Sequence, residues 1–213
     1  MEKRVVVTIG REYGSGGHEI GMKLAKELGV RCYDKELLKL ASKESGICEE
    51  LFSNHDEKPT NSLLYSLVMD TYSLGYSSPT FVDMPINHKV FLAQFDAIKH
   101  LAEKENCVIV GRCADYALEE DKSAIKVFIK APLEKRIQRI VRLYDISESK
   151  AKDTIQKADK SRASYYNYYS SKKWGDAKSY DLCIDSSILG IEGTVELIKN
   201  YINIKLGVKD VVL

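Results

Sequence analysis

The sequence predicts an α/β fold, a parallel sheet covered by helices on both faces, with a helical insertion and a lid. Three observations predict it. Val5 to Ile9 is an unbroken β-branched run, as expected of a strand buried on both faces. A glycine-rich turn, Gly14-Ser15-Gly16-Gly17, follows and opens a helix-period pattern. Strand-like and helix-like segments then alternate along most of the chain, the pattern of strand–helix–strand units in a parallel sheet.

Element by element, the first strand stops at Gly10, and Ile20, Leu24 and Leu28 then recur every four residues in a helix closed by Gly29. Val30 to Tyr33 reads as a short second strand, and Asp34 as the cap of a helix carrying Leu37, Leu38 and Leu40. Turn-forming residues Asn54 to Pro59 and Gly75 to Pro79 bracket an apolar helix candidate from Ser62 to Leu74. A helix from His88 to Lys104 presents Phe91, Phe95, Ile98 and Leu101 along one stripe. Cys107 to Val110 and Ala124 to Ile129 are further strands, the first ending at Gly111-Arg112 and the second at Ala131-Pro132. Helices are expected from Pro132 to Leu143 and from Ser147 to Tyr166, then a strand at Asp181 to Ile184 and a closing helix from Gly190 to Ile204. This divides one domain of 213 residues into a core (1–45, 105–145 and 178–213), an insertion at about 46–104 and a lid region at about 146–177.

Composition narrows the classes. A chain 44% hydrophobic and 30% charged has enough apolar residues for a packed core and is not a disordered one. The formal net charge of +1 gives no reason to expect nucleic acid or a membrane surface as partner. Five scattered cysteines without a CxxC pair read as reduced thiols, and no apolar run is long enough to span a bilayer. The expected location is the cytoplasm, and the expected partners are small molecules.

Chemistry concentrates at the glycine turn. Such a turn between a strand and a helix aims backbone N–H groups and a helix N-terminus at its ligand, and both favour phosphate. Gly14, Ser15, Gly16, Gly17 and His18 are the candidate phosphate-binding residues. The motif departs from the strict phosphate loop GxxxxGK[ST]: Gly17 stands at the lysine and His18 at the magnesium-binding hydroxyl. Arg11, Lys23 or an arginine from elsewhere is needed to supply the missing charge. A dinucleotide fingerprint GxGxxG also begins at Gly14, with Asp34 placed as a ribose-binding acid, but it fails at Glu19.

Arginines make the second constellation. Arg112 follows directly on a strand, at the sheet edge where open α/β proteins bind ligands, and can fork two donors onto a phosphate. The alternative is a structural ion pair with Asp115. Arg136, Arg139 and Arg142 share one helix stripe, read either as a solvated face or as part of a lid over a polyphosphate. Asp159 and Arg162 stand three residues apart and can pair on one helix. Tyr165, Tyr166, Tyr168 and Tyr169 read as packing rather than as a base-stacking platform.

Together, Ile9 to Gly17, Tyr33 to Leu38, Val108 to Tyr116, Asp159 to Arg162 and Lys173-Trp174-Gly175 resemble the cytidylate kinases, most closely a divergent bacterial cytidylate kinase-like family. The resemblance covers nearly the whole chain. It implies a P-loop nucleoside-monophosphate-kinase fold, with ATP as donor, magnesium, and a CMP- or dCMP-like acceptor. It places Gly14 to His18 and Arg139 at the donor phosphates, and Asp34, Arg112 and Asp115 at the acceptor. Arg11, Arg112 and Arg162 are the residues expected to act on the transferring phosphate. Cytidylate kinases proper carry Gly-Lys where this chain has Gly16-Gly17, and Gly-Arg-Asp where it has Gly111-Arg112-Cys113. Their insertion arginines find no match near Gln94-Phe95. The loss of the lysine leaves a second reading open, a nucleotide- or phosphate-binding protein without catalysis.

Overall fold

Successive residues of a strand face opposite sides of its sheet, so a strand that is apolar throughout needs cover on both faces. The computed structural model describes residues 4–48, 50–51 and 84–207, and within them the strands meet this requirement. Strands β1 (Val6–Arg11), β2 (Arg31–Tyr33), β3 (Cys107–Val110), β4 (Ile125–Lys130) and β5 (Leu182–Asp185) form one parallel sheet in the order β2-β3-β1-β4-β5.

Helices α1 (Gly17–Leu28) and α7 (Ser186–Leu206) cover one face. Val5, Val7, Ile9, Val108, Val110, Val127 and Ile129 pack there against Ile20, Leu24, Leu28, Val195 and Ile198. The alternate residues Val6, Cys107 and Ile109 face the other side, against α2 (Glu36–Ser45), α3 (Ile86–Lys104) and the short α4 (Ala114–Ala117). The core is thus two apolar layers divided by the sheet, as the β-branched runs require.

Helices α5 (Leu133–Tyr144) and α6 (Glu148–Ser170) stand beyond the carboxyl ends of the strands. Ala151 and Ile155 of α6 pack on Ile140 of α5. Farther along, Tyr165, Tyr166 and Tyr169 of α6 pack with Phe91 and Leu92 of α3, and the Phe91 and Tyr169 rings stack at 3.9 Å. The tyrosine cluster is packing, as its sequence suggested. One long helix therefore joins the α5 side of the molecule to the α3 side.

Two local expectations need correction. Asp34 does not cap α2: the cap position is Lys35, in helical conformation and without a side-chain cap bond, because the Asp34 carboxylate is engaged elsewhere. The closing helix starts at Ser186 rather than Gly190. Asp185 accepts the Ser187 N–H as cap, and Gly190, with φ +66°, kinks the helix after its first turn. Among the described residues no helix is long and apolar enough to cross a membrane. The helix expected at 62–74 and the turns at 54–59 and 75–79 lie outside the described residues.

Candidate functional site

The strand order fixes where a site can form. From β1 the chain crosses to β2 on one side, and from β3 it crosses to β4 on the other. The crevice at the carboxyl ends of β1 and β3 is therefore the switch point where α/β sheets bind ligands. The glycine turn leaves β1 there, and Gly111-Arg112 leaves β3 beside it, with the Gly111 N–H bonded to the Ile9 carbonyl at 3.0 Å.

Gly14 and Gly16 both have φ +83°, a region that side chains with a β-carbon rarely enter. Gly16 is also the cap of α1, so the turn ends on the helix N-terminus, where the Gly17 N–H donates to Ser15 Oγ at 3.4 Å. Ser15 Oγ donates to the Glu12 carbonyl at 2.8 Å, closing the turn on itself. Ser186 Oγ donates to the Ser15 carbonyl at 2.6 Å and lies 3.2 Å from that of Lys130, tying the turn to the end of β4 and the start of α7.

Cavities open on both sides of this turn. One, of about 230 Å³, is lined by Gly14, Ser15, Lys135, Arg142, Ser186 and Ile191. The other, of about 410 Å³, is lined by Arg11, Gly17, His18, Asp34, Tyr144 and Arg162. Gly14 and Arg139 border both.

Arg112 is almost fully buried, and its guanidinium meets Asp34 at 2.7 Å, rather than the Asp115 of the alternative ion-pair reading. It also donates to the Val110 carbonyl at 3.3 Å. The other Asp34 oxygen faces His18 Nε2 at 3.3 Å, so His18, Asp34 and Arg112 form a chain from the glycine turn through the end of β2 to the end of β3. Gly111, Arg112 and Cys113 all have positive φ. For the two that are not glycine this conformation costs on the order of 1–2 kcal/mol each. The buried ion pair holds the strained backbone in place.

Asp115 lies behind this chain. It accepts the Tyr166 hydroxyl at 2.7 Å, and burial pushes its carboxyl up to about 6 despite that bond. Burial and the Asp115 charge likewise raise the Tyr166 and Tyr180 hydroxyls, which stay protonated and able to donate. Gln94, beside which the insertion arginines find no match, is buried and accepts from the Tyr165 hydroxyl at 3.1 Å.

The arginine stripe of α5 separates into three environments. Arg136 is neither solvated nor poised over a ligand: it is buried, paired with Asp159, and donates to the Ala131 carbonyl at 2.9 Å. Asp159 also accepts the Tyr13 N–H at 2.7 Å, so its carboxylate joins α5, α6 and the approach to the glycine turn. Arg139 pairs with Glu19 of α1, and Arg142 is exposed. Arg162 donates to the Arg11 carbonyl at 3.2 Å and lies over the Tyr13 ring.

Lys23 is excluded as the missing cation, because it points away to Glu192 at 2.6 Å. Burial pushes the Cys32 and Cys107 thiols up to about 12. Sequence reasoning missed Glu12, which accepts the Ala131 N–H at 3.0 Å, and Ser186. Only the Asp185-Ser186-Ser187 cap pattern gave a signal for the latter.

Comparison with known proteins accords with this geometry. The model of the cytidylate kinase-like family matches residues 6–188. The cytidylate kinase of Methanopyrus kandleri is 25% identical over 208 residues, covering 93% of this chain and 93% of that protein. That of Methanosarcina mazei is 28% identical over 204 residues, covering 94% and 98%. Both are archaeal, so the likeness extends beyond the bacterial branch that the motifs suggested. Among solved structures, an uncharacterized protein from Eubacterium ventriosum matches with a TM-score of 0.68 at 32% identity, covering 94% of this chain and 99% of that one. Shikimate kinase from Bacteroides thetaiotaomicron matches with a TM-score of 0.51 at 15% identity, over 93% and 98%, a likeness of fold. The fold is that of the P-loop kinases, and the chain belongs to the cytidylate kinase-like family.

Proposed function

We infer that the protein is an ATP-dependent phosphotransferase that moves the γ-phosphate to a nucleoside monophosphate of the CMP or dCMP class. The observation that carries this reading is the glycine turn with a cavity on each side. Phosphoryl transfer needs a donor and an acceptor in line across a phosphate, and two cavities meeting at a phosphate-binding turn suit that need. Family membership and the cytidylate kinase relatives support the same class.

On this reading the cavity beside Ser186 and Ile191 takes the donor nucleoside, and Gly14 to His18 with Arg139 hold its phosphates. Asp34, Arg112 and Asp115 form the acceptor side. Arg11 and Arg162 supply positive charge against the negative charge of the transferring phosphate, and residues 146–177 act as the lid. Among the described residues no three His, Cys, Asp or Glu side chains converge as a metal cage. Magnesium fits without one, since it keeps several waters and binds through one or two carboxylates and the substrate phosphates. When bound, the ion would neutralise charge on the donor phosphates.

The test is ATP consumption against a panel of nucleoside and small-metabolite monophosphates. Turnover with CMP or dCMP is expected. No turnover with any acceptor, at concentrations where ATP demonstrably binds, overturns the reading and favours the binding protein without catalysis. Gly17 and His18, at the lysine and hydroxyl positions, are the observation on which that second reading stands.

A further inference from the structure

A strict phosphate loop has glycine first and lysine seventh in GxxxxGK[ST]. With Gly16 as the sixth position, the seventh is Gly17 and the first is Arg11. The chain therefore carries one cation and one glycine at these two positions, in exchanged order.

The structure supplies a physical reason for the exchange. A β-carbon on Gly17 would lie 2.5 Å from the Arg11 β-carbon and 3.2 Å from its γ-carbon. Two side chains cannot leave the backbone that close together, so only one of the two positions can bear one. Neither backbone can move aside easily. Arg11 is paired in register with Ile129 of β4, and the next residue's N–H bonds to the Ile129 carbonyl at 3.0 Å. Gly17 is the first residue of α1, and its own β-carbon would also meet Ile129 at 3.3 Å. The Arg11 side chain thus starts within bonding-scale distance of where a lysine at 17 would start. Arg11 borders the larger cavity together with Gly16, Gly17 and His18.

We propose that Arg11 does the work of the phosphate-loop lysine, reaching the donor phosphates from the end of β1, and that Gly17 is glycine to leave it room. The proposal rests on the phosphotransferase reading above. Arginine is suited to the position because its planar fork can engage two phosphate oxygens, where an ammonium acts as a point charge. Its backbone is anchored by Arg162, which donates to the Arg11 carbonyl at 3.2 Å.

The test is an exchange of the two residues. ATP is titrated calorimetrically into the wild type, Arg11→Gly, Gly17→Lys and the double variant Arg11→Gly/Gly17→Lys, and the thermal melting of each is recorded. Arg11→Gly is expected to bind ATP about tenfold more weakly or worse, the loss of one charge-assisted contact. Gly17→Lys is expected to melt lower and bind poorly, since Arg11 blocks the new side chain. The double variant, which rebuilds the strict motif at both positions, is expected to recover affinity to within about threefold of the wild type. A folded double variant that binds no better than Arg11→Gly overturns the proposal, as does Arg11→Gly with wild-type affinity.

A second measurement needs no nucleotide. Gly17→Ala is expected to lower the melting temperature of the wild type and to lower that of Arg11→Gly much less. Equal losses in both backgrounds overturn the steric exchange. The two readings separate cleanly. Wild-type protein that binds ATP but phosphorylates no acceptor removes the phosphotransferase and leaves the Arg11 exchange supported by binding. Turnover by Arg11→Gly with kcat and the KM for ATP both unchanged removes the exchange and leaves the phosphotransferase.

Discussion

The buried guanidinium of Arg112 and the carboxylate of Asp34, 2.7 Å apart, join the ends of β3 and β2 across 78 residues of sequence. Removing one member of such a pair leaves an uncompensated charge in the interior. Asp34→Ala is therefore expected to cost about 3 kcal/mol, read from urea unfolding. Asp34→Ala/Arg112→Met, which removes both charges, should recover most of that stability without restoring turnover. A double variant as unstable as the single one contradicts the account.

Asp115 gives a pH dependence of defined sign. Its carboxyl ionises near 3.8 in the unfolded chain and near 6 in the fold, chiefly because of burial. Between those values the folded protein holds the extra proton, so this group's contribution falls as pH rises from about 4 to 6 and stays low above. The difference amounts to about 2–3 kcal/mol. Asp115→Asn keeps an acceptor for the Tyr166 hydroxyl and removes the charge. It should melt higher than the wild type at pH 7.5, and the gap should shrink as pH falls to 4. A gap that is constant with pH refutes the assignment.

Gly16 tests the turn. An alanine there would hold φ near +83° at a cost of about 1–2 kcal/mol, and its β-carbon would lie 2.7 Å from the Ile191 δ-carbon. The Ile191 tip can rotate, but the backbone strain cannot be relieved that way. Gly16→Ala should lower both melting temperature and ATP affinity, and adding Ile191→Val should recover little of either.

Asp159 holds the approach to the turn by accepting the Tyr13 N–H at 2.7 Å and pairing with Arg136. In Asp159→Ala the Tyr13 amide should exchange with solvent about tenfold faster or more. Amide exchange read residue by residue checks this. Unchanged exchange at Tyr13 would show that the bond does not order the segment.

Much of this molecule was legible from local pattern. The β1–turn–α1 unit follows from β-branched residues, three glycines and a four-residue apolar repeat, all within 28 residues. The position of Arg112 at the sheet edge was legible because a ligand-bearing edge lies where a parallel strand ends. Its partner was not. Asp34 and Asp115 are both near a strand end in sequence, and only the order β2-β3-β1 brings β2 beside β3 and sets Asp34 against Arg112. The stripe of Arg136, Arg139 and Arg142 shows the same limit. Helical period assigns these residues a common side, but what stands opposite each depends on α6 and α1, which pack from distant parts of the chain.

The glycine at position 17 divides the two kinds of knowledge most sharply. The sequence by itself determined the α/β class, the glycine-rich turn, the family resemblance and the absence of the expected lysine. Those are properties of composition, spacing and short-range period, which a chain carries before it folds. Only the tertiary structure decided that the space beside Gly17 is already taken by the first atoms of Arg11. That contact is made by pairing β1 with β4 and setting α1 on the sheet, and van der Waals exclusion at 2.5 Å then allows one side chain where the motif counts two.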